Sequence, residues 1–273
     1  MDADSDDGDA TASAFKTLRT ERTDAVARVI LDRPAELNTI TPALLEAFAS
    51  AIGTLEADND VRCLLLSGAG DRAFAAGAEL PALADDGITA IDGVELARAG
   101  QQTFGRLDAC DTPVVAAVDG VCLGGGMELA AAADLRVATA GSTFGQPEHS
   151  LGLLPGWGGT QRLPNLIGES RAKEIIFTGD HYTAAEMADY GFLTRVVDGD
   201  EFGERAMEVA EQVAAGPPLA QKYTKRAMRA GRDDTDAGLE VEAHAFGQLL
   251  ESEDFSEGVT AFQNDDDPAF TGE

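Results

Sequence analysis

The chain has 273 residues, 49 acidic and 20 basic side chains, a net charge of −29 and 44% hydrophobic residues. That apolar content supports a full core and excludes both a disordered chain and a peptide-sized binding module. The charge excludes nucleic acid and anionic membranes as expected partners, because phosphate recognition needs clustered Lys and Arg and no basic stripe is evident.

Residues 1–12 are mostly Asp, Ser, Gly and Ala with little to bury, and are expected to form a disordered acidic tail. Strand-like runs follow at residues 26–31, 61–67, 113–118 and 135–138, interleaved with helix-like runs at 42–56 and 93–107. Thr41 and Pro42 make a good helix start, as N-cap and first helical residue. Gly-rich punctuation at 67–70 and 121–126 places loops at strand ends, where α/β folds usually put ligands. After about Gly158 the strands nearly vanish, and helices are predicted at 171–177, 184–189, 201–215, 219–230 and 237–250. The fold class is therefore α/β with a helical C-terminal part.

Lysine supplies only four of the basic residues, and Asp-rich runs lie at both ends, in MDADSDDGDA and NDDD. This reads as a solvated acidic shell of the kind used at very high intracellular salt, so a halophilic source and salt-dependent folding are expected. Cys63, Cys110 and Cys122 are odd in number, without CxxC spacing and among apolar neighbours, which suits buried thiols in a reducing compartment. The N-terminus is acidic where a signal peptide would be basic, and the apolar stretch 114–133 is broken by Asp119 and Glu128, so a cytoplasmic protein with no membrane span is expected. His149, His181 and His244 lack metal-ligand spacing, and no metal is expected. His149 adjoins Glu148 and is the one placed to tune it.

The chemistry is most legible at two glutamates twenty residues apart. Gly124, Gly125 and Gly126 precede Met127 and Glu128, which reads as a tight turn opening a helix whose free N–H groups could bind an oxyanion. Glu128 falls in the first helical turn, where the helix dipole favours an ionised carboxylate and so a base. Glu148 follows Pro147 and precedes the apolar run from Leu151 to Pro155, an environment that raises a carboxyl pKa and keeps the acid form. The two make an acid–base pair. Small residues around Gly77 let a backbone approach a ligand closely, and an N–H near Ala78 paired with that of Gly125 would give a two-donor oxyanion hole.

A rival motif lies at 61–73, a strand followed by G-x-G-x-x-A. The segment after it lacks the long amphipathic helix whose N-terminus would take a pyrophosphate, which disfavours a nicotinamide enzyme.

Five blocks together resemble the enoyl-CoA hydratase/isomerase (crotonase) family, closest to enoyl-CoA hydratase. They are LDRPAELNTIT (31–41), SGAGDRAFAAGAEL (67–80), PVVAAVDGVCLGGGMELAAAADLRVA (113–138), FGQPEHSLGLLPGWGGTQRLPNLIG (144–168) and a helical tail with EGVTAF (257–262). The resemblance implies a crotonase-like spiral of β-β-α units over 13–200, a helical trimerisation region over 201–273, and a homotrimer or homohexamer. It implies an acyl-CoA thioester substrate, with no separate cofactor because coenzyme A is part of the substrate. It places the oxyanion amides on Ala78 and Gly125, the catalytic glutamates on Glu128 and Glu148, substrate and CoA contacts on Ala35, Glu36, Leu37 and Ala76, and a residue beside the water site on Gly156. Retention of both glutamates implies hydration of trans-2-enoyl-CoA. The alternatives are isomerase or other acyl-CoA enolate chemistry in the same fold, and a non-catalytic binding or assembly protein. The chain departs from the family where lysines usually meet CoA phosphates: those places read Ala35-Glu36, Leu80-Pro81 and residues 263–267, and Arg33 is the nearest substitute.

Overall fold

The computed structural model describes residues 17–79 and 87–273. The expected tail at 1–12 and the Leu80-Pro81 position lie outside the described residues. The first strands are β1 (Leu18–Thr23) and β2 (Val26–Leu31), an antiparallel hairpin pairing Leu18 with Leu31 and Thr23 with Val26. Helix α1 (Pro42–Glu56) follows, with the Thr41 hydroxyl accepting from the Leu44 amide as the sequence predicts.

From there the chain repeats one move. A strand enters a large sheet, the next short strand enters a second sheet, and a helix returns. The pairs are β3 (Cys63–Gly68) with β4 (Ala73–Ala75), β5 (Val114–Val118) with β6 (Val121–Leu123), and β7 (Leu135–Thr139) with β8 (Thr143–Gly145). The helices after the first two pairs are α2 (Ala90–Ala109) and α3 (Gly125–Ala131). After the third come a 3-10 turn at Pro147–Leu151, α4 (Gly159–Ile167) and α5 (Glu169–Thr178). The large sheet has the order β1-β2-β3-β5-β7-β10 and the second β4-β6-β8-β9, where β9 is Tyr182–Thr183 and β10 is Arg195–Val197. All pairings are parallel except β1 with β2 and β8 with β9. This is the β-β-α spiral. Because β3 is followed by β4 instead of a helix, the G-x-G-x-x-A reading falls away.

The central strands are apolar on both faces because both are covered. Leu64, Leu66, Val114, Ala116 and Val118 point into the main core. Their alternates Cys63, Leu65, Val115 and Ala117 meet Ala206, Val209, Ala210 and Ala214 of α7 (Phe202–Ala214). All three cysteines are buried free thiols, and burial pushes Cys63 up to about 12 and Cys110 to about 11. Between β9 and β10 lies α6 (Ala184–Asp189), its N-terminus closed by a capping box of Thr183 and Glu186.

The C-terminal part is α8 (Pro218–Ala230), α9 (Thr235–Leu249) and α10 (Glu253–Asn264). The expectation of no basic stripe is corrected here, since α8 carries Lys222, Lys225, Arg226 and Arg229. These cations pair with acidic side chains and a carbonyl of the preceding fold. Lys225 meets Asp134 at 2.5 Å, Arg226 meets Asp111 at 2.6 Å, and Arg232 beyond the helix meets Asp108 at 2.6 Å. They bind the helical part to the N-terminal ends of β5 and β7 and to the end of α2, so these charges are already taken up within the fold. No helix among the described residues is long and apolar enough to cross a membrane.

Buried Arg136 fixes the helix that carries Glu128. Its guanidinium donates to the carbonyls of Phe192 and Ala133, both at 2.6 Å, and of Ala130 at 3.4 Å at the end of α3. Burial pulls its pKa down to about 10, leaving it charged at neutral pH. Arg136→Leu orphans these carbonyls and is expected to cost about 3 kcal/mol, read as a lower denaturant midpoint at unchanged m-value.

Candidate active site

The site forms where the glycine turn at 124–126, residues 76–79 and the 3-10 turn bearing Glu148 meet at the N-terminus of α3. Gly124 adopts φ 50° and ψ −124°, a backbone conformation essentially restricted to glycine. A Cβ there would also lie 2.8 Å from Oε1 of Glu148, so this carboxyl rests directly on the turn. Gly125 is the first residue of α3, and its amide is one of the four without an intrahelical acceptor.

The second segment is 76–79. Ile40 donates to the Gly77 carbonyl at 2.8 Å and accepts from the Glu79 amide at 3.1 Å. In this parallel bridge the amide of Ala78 points away from Ile40, and among the described residues it has no backbone acceptor. Gly77, at φ 102°, packs against the α3 turn: a Cβ there would stand 3.6 Å from the Gly125 nitrogen. The structure thus brings Ala78 and Gly125 to adjacent segments, with neither amide given an acceptor among the described residues.

Glu128 is 2% exposed. Its Oε1 accepts from the amides of Trp157 at 2.8 Å and Gly159 at 2.7 Å, leaving Oε2 free of a protein donor among the described residues. The dipole argument for a readily ionised Glu128 is corrected here. Burial is the largest influence and, with repulsion from Glu148, raises its pKa from 4.5 to about 7 against the two amides and Arg162. A helix of seven residues cannot outweigh removal from water.

Glu148 lies in the 3-10 turn, partly buried, and burial raises its pKa as expected. The cause differs from the sequence reading, because Leu151, Leu153 and Leu154 are 53%, 53% and 62% exposed. The cover is instead Gly124 and the buried Gln146, whose amide end lies 3.0 and 3.1 Å from the two Glu148 oxygens and donates to them when its nitrogen is assigned to that side. His149 turns away, its ring 5.6 Å from that of Phe177.

The remaining expected residues divide. Leu37 and Ala76 are joined directly, the Ala76 amide donating to the Leu37 carbonyl at 3.0 Å. Ala35 and Glu36 are exposed on the same turn, and Arg72 donates to the carbonyls of Pro34 at 2.6 Å and Ala35 at 3.3 Å. Gly156 has open space about its Cα and gives its carbonyl to Gln101, while the amides reaching Glu128 belong to Trp157 and Gly159. Arg33 is not a free cation: it pairs with Glu79 at 2.7 Å and donates to Thr39. Asn38, fully buried, ties the loop together by donating to the Ala69 and Ala73 carbonyls and accepting from the Arg33 amide. Asn38, Gln146 and the Trp157 and Gly159 amides were not singled out from sequence; only the short polar side chain beside the RPAEL turn marks Asn38 in advance.

The profile of the family described as enoyl-CoA hydratase/isomerase matches residues 21–273. The chain belongs to the enoyl-CoA hydratase/isomerase family. A short-chain-enoyl-CoA hydratase of Clostridium acetobutylicum is 38% identical over 243 residues, 89% of this chain and 92% of that one. A crotonyl-CoA hydratase of Syntrophomonas wolfei is 35% identical over 250 residues, 91% of this chain and 95% of that one. The crystal structure of an enoyl-CoA hydratase from Bacillus anthracis superposes with a TM-score of 0.90 at 35% identity, covering 94% of this chain and all of that one. As a family member with the crotonase fold, the chain carries both glutamates of the resemblance on elements that converge.

Proposed function

We propose that the chain is a cytoplasmic hydratase that adds water reversibly across the double bond of trans-2-enoyl-CoA thioesters, giving 3-hydroxyacyl-CoA. The observation that carries this reading is the placement of two buried-shifted carboxyls, Glu128 and Glu148, at one helix N-terminus beside two uncommitted amides. The names of the relatives support the substrate class. In this scheme the Ala78 and Gly125 amides receive the thioester oxygen as it gains enolate charge, each contributing about 3 to 4 kcal/mol to barrier lowering. Oε2 of Glu128 takes a proton from the water attacking C3, and Glu148, held by Gln146, delivers one to C2. Ala35, Glu36, Leu37 and Ala76 form the loop pair that holds CoA through backbone groups, and Gly156 borders the water site. The scheme calls for no metal and no cofactor beyond the CoA in the substrate. Assembly as a homotrimer or homohexamer through the C-terminal helices is supported by Phe246 and Phe262, which stand 66% and 88% exposed.

The pair works only when singly protonated, with one carboxylate to take a proton and one acid to give one. Because Glu128 is the base and sits at about 7, kcat is expected to rise as pH rises through neutrality and this carboxyl ionises.

The test is loss of the conjugated-thioester absorbance of crotonyl-CoA with the protein in about 2 to 3 M KCl, where surface charge is fully screened. Rapid loss that strengthens as pH rises through about 7 supports the reading. Silence from a folded protein overturns it in favour of isomerisation of a 3-enoyl-CoA.

A further inference from the structure

Trp157 is the chain's one tryptophan and is 6% exposed. Its indole is wedged between two helices at positions where neither carries a side chain. A Cβ on Gly100 of α2 would lie 2.1 Å from Cδ1, and a Cβ on Gly125 of α3 would lie 2.3 Å from Cζ3. The indole N–H donates to the Leu96 carbonyl at 3.2 Å, and Phe104 meets the ring edge-on at 5.7 Å. One residue earlier, Gln101 donates to the Gly156 carbonyl at 2.9 Å. Leu96, Gly100, Gln101 and Phe104 all belong to α2. On the other side, Arg162 of α4 donates to the Trp157 carbonyl at 3.1 Å.

The backbone so clamped supplies one of the two amides on Glu128. Both amides fall on the same oxygen, so the position of the peptide at Trp157 decides which carboxylate oxygen is tied and which is presented. We infer that Trp157 is a positioning residue through which α2 sets the orientation of Glu128. The inference rests on the role proposed for Glu128. The indole acts on that carboxyl through its own peptide, and the bare Cα of Gly100 is what lets α2 approach closely enough to grip it. Moving the indole moves the amide, and a catalytic group displaced by about 1 Å loses on the order of a hundredfold in rate.

The experiment is a double-mutant cycle read by kinetics and by the emission of the single tryptophan. Gly100→Ala pushes on the indole from a helix that meets no reacting atom, and Gly93→Ala on the same helix, with nothing near its Cα, is the control. Expected for Gly100→Ala are a kcat for crotonyl-CoA lowered roughly tenfold or more, KM within about twofold, and a shifted pH profile, with the control unchanged. In a Trp157→Leu background the same Gly100→Ala change should add almost nothing, since the indole that transmits it is gone. Equal effects of Gly100→Ala in both backgrounds, or none in either, would overturn the inference.

A second readout needs neither substrate nor a stable variant at Gly100. The charged groups facing Glu128 are Glu148 from the 3-10 turn and Arg162 from α4. The emission of wild-type Trp157 should therefore titrate near neutrality between about pH 5 and pH 9 and lose that step in Glu128→Gln. Flat wild-type emission would overturn the inference. If a folded wild type is silent on crotonyl-CoA but the emission step is present and lost in Glu128→Gln, the hydratase reading fails while the coupling of Trp157 to Glu128 stands.

Discussion

Replacing Glu128 with glutamine is expected to lower kcat for crotonyl-CoA about a thousandfold while making the protein more stable at about pH 8. Glutamine keeps the shape, and its Oε1 can still accept from the Trp157 and Gly159 amides. What stands in place of Oε2 is an NH2 group, a donor that cannot take a proton from water. The stability change follows from the raised pKa. Below about pH 4.5 the carboxyl is protonated in both folded and unfolded chains and costs nothing. Between 4.5 and about 7 only the unfolded chain ionises, so the fold loses stability as pH rises through that window. Above it the whole penalty, on the order of 3 kcal/mol, is present. Glutamine has no such penalty. Thermal midpoints of wild type and variant should coincide at about pH 4 and diverge at about pH 8 with the variant higher; a variant less stable at both values would show that ionised Glu128 stabilises the fold.

Gly126→Ala is expected to do more damage than any other single methyl near the site. The added Cβ would stand 2.1 Å from the Ala75 carbonyl oxygen and 2.8 Å from its carbon, both backbone atoms of β4. No rotamer relieves a contact between two backbones, so α3 must move away from β4. That displacement costs about 3 kcal/mol or more and separates the segment bearing Ala78 from the turn bearing Gly125. The loss of kcat/KM should reach about a hundredfold or more. Gly199→Ala, which meets nothing within 4 Å, is the matched control. Measured together, activity and denaturant midpoint should both fall for Gly126→Ala and neither for Gly199→Ala.

The parts of this fold legible in sequence are those specified locally. β2 and α6 fall at their predicted bounds, the first by a continuous apolar run and the second by the Thr183 and Glu186 capping box. Glu128 falls in the first turn of a helix because three glycines announce it. α4 is not legible in sequence because it begins at a glycine and holds Pro164 inside, two features that locally argue against a helix. β4, β6 and β8 have three residues each, too few to show a period of two. What sequence could not give is set by distance along the chain. The amides on Glu128 come from 29 and 31 residues away, and the acidic partners of α8 from 91 and 115. The resemblance located Glu128, but only the packing around it sets the balance between burial and helix dipole.

The paired cations on and just beyond α8 change how the molecule meets a ligand in solution. With Lys225, Arg226 and Arg232 paired to Asp134, Asp111 and Asp108, and Arg33 paired to Glu79, these cations form no free cationic patch to offset locally the net charge of −29. A CoA thioester is itself a polyanion. Its approach is therefore opposed at long range where most enzymes of phosphorylated ligands attract, and the encounter rate rises with ionic strength where theirs falls.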